Sequence, residues 1–385
     1  MFASRTNWNL GPNRLAQARE RQKSSGRSLL DLAASNPTEC GFKYDAAAIV
    51  RALCHPASLQ YHPDPRGLRS ARLAVREYYA ARGAEVGADD ILLTVSTSEA
   101  YSFVFRLLCN PGDELLIPAP SYPLFDFLAE VNDVKLARYP LFYDHGWHID
   151  LHALEQAVTP RTRGIIVVHP NNPTGHYAKP DEMASLNQLC TDGKMAVIAD
   201  EVFLDFALAG AAQPSFAGNR SALTFTMSGI SKISGLPQLK FAWLAVSGPD
   251  DLKREAMARL ELISDTYLSM NAPIQLAAPA LLHQRTGFQQ QLMARVRTNL
   301  AQLDSQLATQ KQAARLDVEG GWYAVLRVPA TRSDEDLAIE LLENHNLYVH
   351  PGHFYGFPGD GYIVVSLITR EEEFGEGVRR ILTSL

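Results

Sequence analysis

The stretch Ile165-Ile166-Val167-Val168-His169-Pro170-Asn171-Asn172-Pro173-Thr174-Gly175 decides how the chain folds. Four consecutive β-branched residues with no polar position between them leave neither face for water, so the run reads as a strand buried on both sides of a sheet. The Pro, Asn and Gly residues that follow end it in a loop. The same juxtaposition recurs on either side. Ile91 to Val95 leads into Ser96-Thr97-Ser98 and a helix from Glu99 to Leu108, stopped by Asn110-Pro111-Gly112-Asp113. Ala196 to Ala199 leads into Asp200-Glu201, and Ala222 to Met227 leads into Ser228-Gly229-Ile230-Ser231-Lys232. Short apolar runs alternating with helical patterns predict an α/β fold, a large domain with a mostly parallel sheet covered by helices. In such sheets ligands bind outside the carboxyl ends of the strands, so four ends rich in polar and ionisable residues predict one shared crevice.

Downstream the texture changes. A Gln- and Arg-rich helical stretch runs from about residue 285 to Ala314, followed by strand-like Trp322 to Leu326, a helix capped by Ser333 with Asp336 three residues on, and strand-like Tyr362 to Val365. This predicts a smaller α+β domain over 285–385 beside a large domain over 46–284. The first 45 residues read as loop without a core of their own, packing with the small domain. A length of 385 residues fits about two or three domains at ~150 each. Thirty-six Lys and Arg against 42 Asp and Glu leave a net charge of -6, which offers no basic footprint for nucleic acid. Cys40, Cys54, Cys109 and Cys190 show neither paired nor metal-like spacing. The N-terminus lacks the apolar core of an export signal, and apolar runs fall far below the ~18–20 residues of a membrane span. A cytoplasmic protein with no membrane partner is expected.

Taken in order, His169 to Gly175, Ala199-Asp200-Glu201-Val202-Phe203, and Ser228 to Lys232 followed by Gly235-Leu236-Pro237 resemble the class I/II aminotransferases, aspartate aminotransferase-like enzymes of fold type I that use pyridoxal 5'-phosphate (PLP). Asn36-Pro37, Tyr61, Pro65 to Arg69 and Pro120-Ser121-Tyr122 extend the resemblance over nearly the whole chain. It implies that Lys232 forms a Schiff base with the cofactor aldehyde and then carries the substrate proton, a task that needs a neutral amine and hence a lowered pKa. Asp200 would face the protonated ring nitrogen and keep the ring electron-poor. Asn172 would donate to the phenolic oxygen and help to bind substrate with Asn36, and Tyr122 would stack on the ring. Ser96, Thr97, Ser98 and Ser231 would surround the phosphate at a helix N-terminus, with Lys240 where the family usually has an Arg. Tyr61 would reach the phosphate of a neighbouring subunit, which implies a homodimer. The activity implied is transfer of an amino group from an amino acid or amine to a 2-oxo acid. A β-eliminating lyase or a racemase would use the same cofactor set, and a PLP-binding sensor would need a DNA-binding domain for which the chain has no room.

Three positions depart from the family pattern. Phe203 replaces a tyrosine, which removes one donor to the ring oxygen and implies an imine that keeps its proton to higher pH. Gly229 replaces a serine three residues before the lysine, leaving Ser231 or Ser228 to compensate. Val364 stands where the family has the Arg that grips the substrate carboxylate. Either Arg370 turns inward, or another such as Arg327 substitutes, or the substrate is not an ordinary α-amino acid. His145, His148 and His152 have zinc-like spacing, but a turn at His145-Gly146 and a helix cap at Asp150 keep the rings off one face, so no metal is expected. His350 and His353, in a Gly- and aromatic-rich loop, could line the substrate pocket. No G-x-G-x-x-G follows a strand and no P-loop signature occurs.

Overall fold

The computed structural model describes residues 1–208 and 213–385. Its large sheet contains, in chain order, β1 (Ile91–Thr94), β2 (Glu114–Ala119), β3 (Lys135–Tyr143), β4 (Trp147–Ile149), β5 (Thr162–Val168), β6 (Ala196–Asp200), β7 (Thr224–Gly229) and β8 (Ala242–Ser247). Their spatial order is β1-β8-β7-β6-β5-β2-β3-β4. The sheet is mostly parallel, but β8 runs antiparallel to both β7 and β1, and β4 is an antiparallel edge. Every residue of β6, β7 and β8 is buried, as double-sided coverage requires. Alternate side chains enter different apolar clusters: Ile166 and Ile198 face one side with Phe105 and Leu260, while Ile165 and Val197 face the other with Leu186.

Register brings the strand ends level. Val168 is opposite Asp200, Asp200 opposite Met227, and Gly229 and Thr94 are both opposite Ala242. The carboxyl ends of β1, β5, β6 and β7 therefore meet the start of β8 at one edge.

A second, antiparallel sheet contains β9 (Ala314–Arg315), β10 (Tyr323–Arg327), β11 (His350–Pro351) and β12 (Tyr362–Ser366), in the order β9-β10-β12-β11. Helices Arg285–Leu307, Asp334–His345 and Glu371–Ser384 accompany it. The first of these ends seven residues short of Ala314, because Ala314 and Arg315 pair with β10. Ser333 does cap its helix, accepting from Asp336 N at 3.1 Å. The loop expected over the first 45 residues is corrected. Residues Arg14–Ser24 form a helix capped by Asn13, which bury Leu15 and Ala18 and pack on Asp334–His345. Leu30–Asp31 then pairs in parallel with Leu347–Tyr348. That helix is mostly polar, so only three buried positions mark its inner face, too few to reveal it by periodicity.

Candidate active site

Lys232 sits in a single helical turn, Ile230–Ile233, that begins where β7 ends. It opens into a cleft of about 460 Å3 between the carboxyl edge of the large sheet and the second sheet. Its Nζ lies 5.0 Å from the centre of the Trp322 ring and 5.8 Å from that of Phe203. This apolar company lowers the amine's pKa to about 8 by desolvation, opposed by the negative charge of Asp200. Asp200, the last residue of β6, is on the cleft floor and only 9% exposed. Burial raises its carboxyl to about 6 against three opposing influences: Val202 N donating to Oδ1 at 3.1 Å, Tyr101 OH donating to Oδ2 at 3.1 Å, and the charge of Lys232. A buried acid and a partly buried amine, each pushed toward neutrality, mark a site built for proton movement.

One end of the cleft suits an anion. Ser96 caps helix Thr97–Leu108 by accepting from Glu99 N at 3.1 Å, and Glu99 folds back to accept from Val95 N. The hydroxyls of Thr97 and Ser98 are left at a helix N-terminus whose first N–H groups have no helical acceptor. Ser231 lines the same cleft, whereas Ser228 is fully buried and donates to the Glu201 carbonyl at 3.3 Å. Gly229 has a spatial reason: a Cβ there would fall 2.9 Å from both Ala242 Cβ and the Phe241 carbonyl oxygen. Lys240 is exposed, with left-handed backbone (φ +50°) after the turn Pro237–Leu239, and is not among the lining residues.

Tyr122, Asn172 and Phe203 complete the walls. Phe203 packs edge-on against Trp322 at 4.8 Å, so the site normally given to a hydroxyl is apolar. Asn172 is 8% exposed and its Oδ1 has no hydrogen-bond partner among the described residues. Asn36 spends its Oδ1 on Thr38, capping a turn, and it is the adjacent Ser35 that lines the cleft. Arg370 does not turn inward: it is exposed, and its guanidinium lies beside Gly41, 3.3 Å from where a Cβ on that residue would be. Arg327 is likewise exposed, over the Tyr362 ring. Val364 is 1% exposed within β12. Tyr61 is 78% exposed and borders a separate hollow of about 160 Å3.

Sequence reasoning missed Tyr101, Tyr323, Phe354 and Tyr355, which the fold brings to the cleft or to Asp200. Tyr101 had a signal, since it follows Thr97 by four residues on one helix and so shares its face. Tyr355 had none, because its position depends on pairing between sheets. The candidate zinc histidines lie apart in a turn at His145, strand β4 and helix Leu151–Ala157.

The chemistry of this donor set fits PLP. A buried carboxylate with one cation nearby suits a ring N–H+, the Asn172 NH2, which donates to no group among the described residues, suits a phenolic oxygen, and the helix N-terminus with its hydroxyls suits a phosphate.

A family model described as aminotransferase class I and II matches residues 29–381. The glutamate-pyruvate aminotransferase AlaA of Escherichia coli (strain K12) is 30% identical over 265 residues, which cover 68% of this chain but only 65% of that relative, just under two thirds of its length. The alanine aminotransferase of Mycobacterium tuberculosis (strain H37Rv) is 25% identical over 374 residues, 94% of this chain and 86% of its own. Among solved structures, an alanine aminotransferase from Pyrococcus furiosus superposes with a TM-score of 0.90 at 21% identity, covering 99% of this chain and 98% of its own. A Thermus thermophilus aspartate aminotransferase mutant superposes at 0.87 with 19% identity and complete coverage of both chains.

Proposed function

The chain belongs to the class I and II aminotransferases, a PLP-dependent family of fold type I, and from that premise we propose that it moves an amino group between an amino acid or amine donor and a 2-oxo acid. The observation that carries the reading is the Lys232 amine, held near pKa 8 in a cleft whose floor is the buried Asp200. PLP, when bound, supplies an electron-poor ring that takes up the electron pair left as a proton departs from the nitrogen-bearing carbon. The chain's residues do the rest. Lys232 holds the cofactor and, once released, takes the proton at Nζ and returns it; a pKa of about 8 leaves enough neutral amine near pH 7.5 for this. Asp200, steadied by Tyr101, fixes the ring nitrogen's charge. Ser96, Thr97, Ser98 and Ser231, which line the cleft, would bind the phosphate, while Lys240 would reach it as a point charge only by turning in from the surface. Tyr122 would stack on the ring and Asn172 would donate to its oxygen, since both line the cleft. Phe203 and Trp322 keep water from the amine.

Adding a donor to the holoenzyme should convert the cofactor's absorbance to that of its aminated form with one equivalent of oxo product. Steady release of ammonia and pyruvate would instead identify the β-eliminating alternative. Borohydride reduction and peptide mass spectrometry should find the cofactor's mass on Lys232. The same reading includes a cytoplasmic homodimer in which Tyr61 reaches the neighbouring phosphate. It divides the chain into an N-terminal segment over 1–45, a large domain over 46–284 and a small domain over 285–385. The separation of the two sheets supports that division. Among the described residues no helix is long and apolar enough to cross a membrane.

A further inference from the structure

The second sheet contributes an aromatic cage to the cleft. Tyr323 from β10, His350 from β11, and Phe354 and Tyr355 from the turn after it line the cleft together with Tyr122. Among the described lining residues the ionisable nitrogens are Lys232 and His350 alone, and Asp200 is the only acid. The nearby guanidinium groups are engaged elsewhere. Arg19 pairs with Asp31 at 3.0 Å and lies over the Tyr348 ring. Arg295 donates to the carbonyls of Cys40, Ile368 and Thr369 and pairs with Glu371. Arg370 and Arg327 are exposed as described.

His350 is a neutral group in this cage. Its Nδ1 is 2.9 Å from Tyr355 OH; with the hydroxyl donating to Nδ1, the ring proton resides on Nε2. The Tyr355 carbonyl accepts from Ser121 N at 2.8 Å, which ties this turn to the loop that holds Tyr122. Burial, with a smaller push from Arg19, lowers the imidazole to about 4, so no cation forms there near neutral pH.

Resting on the aminotransferase reading, we propose that the cage selects an amino donor whose nitrogen-bearing carbon has no free carboxylate: a primary amine or an amino acid amide with an aromatic or apolar body, its neutral acceptor, where present, meeting the His350–Tyr355 pair. A carboxylate bound here during donor entry would lose its water without gaining a cation to offset its charge, because Lys232 is then joined to the cofactor and His350 is neutral. A neutral amide or hydroxyl needs only a hydrogen bond. A 2-oxo acid enters in the other half-reaction, when the Lys232 ammonium is free to face it, so the two substrates need not share a carboxylate anchor. The net exchange balances. The donor carbon is oxidised to a carbonyl, the cofactor aldehyde carbon is reduced by the same two electrons, the nitrogen crosses, and the water consumed in releasing the first oxo product is returned when the 2-oxo acid joins in the second half-reaction.

Two measurements on the holoenzyme separate this proposal from the reading beneath it. Calorimetry should show 3-phenylpropanamide, which cannot react, binding at least tenfold tighter than 3-phenylpropanoate, a difference of about 1.4 kcal/mol. Single-turnover conversion of cofactor absorbance should proceed at least tenfold faster, per molar donor, with phenylalaninamide or 2-phenylethylamine than with phenylalanine. His350→Asn should raise KM for the amide about tenfold, and raise KM for phenylethylamine, which carries no acceptor for the pair, by a smaller factor. Equal or tighter binding of the acid, or faster conversion of phenylalanine, overturns the proposal while leaving amino transfer intact. Failure of every donor to convert the cofactor, with Lys232 shown to hold it, overturns both.

Discussion

Asp200 has a cost that only the cofactor offsets. With no ligand its carboxyl is raised from 3.8 to about 6, chiefly by burial, so folding disfavours the charged form. For an acid raised in the folded state, this penalty is absent below pH 4, grows between 4 and 6, and is complete above 6. Two pK units correspond to roughly 3 kcal/mol at pH 7.5, falling to about half that at pH 5. Asp200→Asn should therefore stabilise the cofactor-free protein by about 2 kcal/mol at pH 7.5, once imperfect reuse of the Tyr101 and Val202 bonds is allowed for, and by less at pH 5. Urea unfolding of apoprotein at the two pH values checks this. The same variant should lose most of its transfer activity. A destabilised apo variant would mean that Asp200 is a structural acid whose bonds outweigh its burial. The sequence placed Asp200 at the end of an apolar strand, so its burial was legible. Its partner Tyr101 was readable only after the helix face through Thr97 was considered.

Among the elements, the β7–β8 hairpin shows how a sheet edge becomes a binding wall. Gly229 closes β7 opposite Ala242, and its backbone is extended (φ 179°), so glycine is demanded by space and not by conformation. Its neighbours at 2.9 Å are a backbone carbonyl and a methyl held in the sheet, neither of which can swing away. Gly229→Ser, which restores the family's hydroxyl, should thus destabilise the protein by about 1–3 kcal/mol by overpacking and weaken cofactor retention. Thermal unfolding and a dialysis titration with PLP would measure both, and a stable variant binding PLP tighter would refute the spatial account. The short strands β1, β5, β6 and β7 were readable because each holds a cluster of apolar and β-branched residues with polar or turn residues directly after it. The antiparallel course of β8 was not, since Ala242 to Ser247 is apolar whichever way it runs and direction is set by the connection from Lys232. His350 and His353 were both read as loop residues that could line the pocket, and only His350 does, because its place in the cleft depends on β11 pairing with Val364 and Ile363.

At the scale of the whole molecule, one apolar cluster runs without a break from Leu15 and Leu32 through Phe203 and Trp322 to Ile363. The N-terminal segment and the second sheet are thus held to the large sheet around the cleft itself. On the far rim the surface is of another kind. Leu59 is 92% exposed, Tyr61 78% and Leu262 72%, and Tyr61 and Leu268 flank the smaller hollow. Isolated exposed apolar residues are ordinary, but Tyr61 and Leu268 share one hollow, which makes it a candidate contact surface. If a second copy covers it, Tyr61 is brought from solvent to a neighbouring phosphate, and assembly and cofactor binding become linked. Light scattering on the eluting holoenzyme should give twice the 42.5 kDa chain mass. Leu59→Glu combined with Leu262→Glu should shift the protein to single chains and release PLP, since a buried unpaired carboxylate is costly at an interface. Tyr61→Phe should keep the dimer yet weaken PLP about tenfold, the loss of one hydrogen bond to a charged group. The combination distinguishes covering from contact: a dimer in which Tyr61→Phe binds PLP normally would retain the interface and remove Tyr61 from the phosphate site. A fully active single chain would remove both.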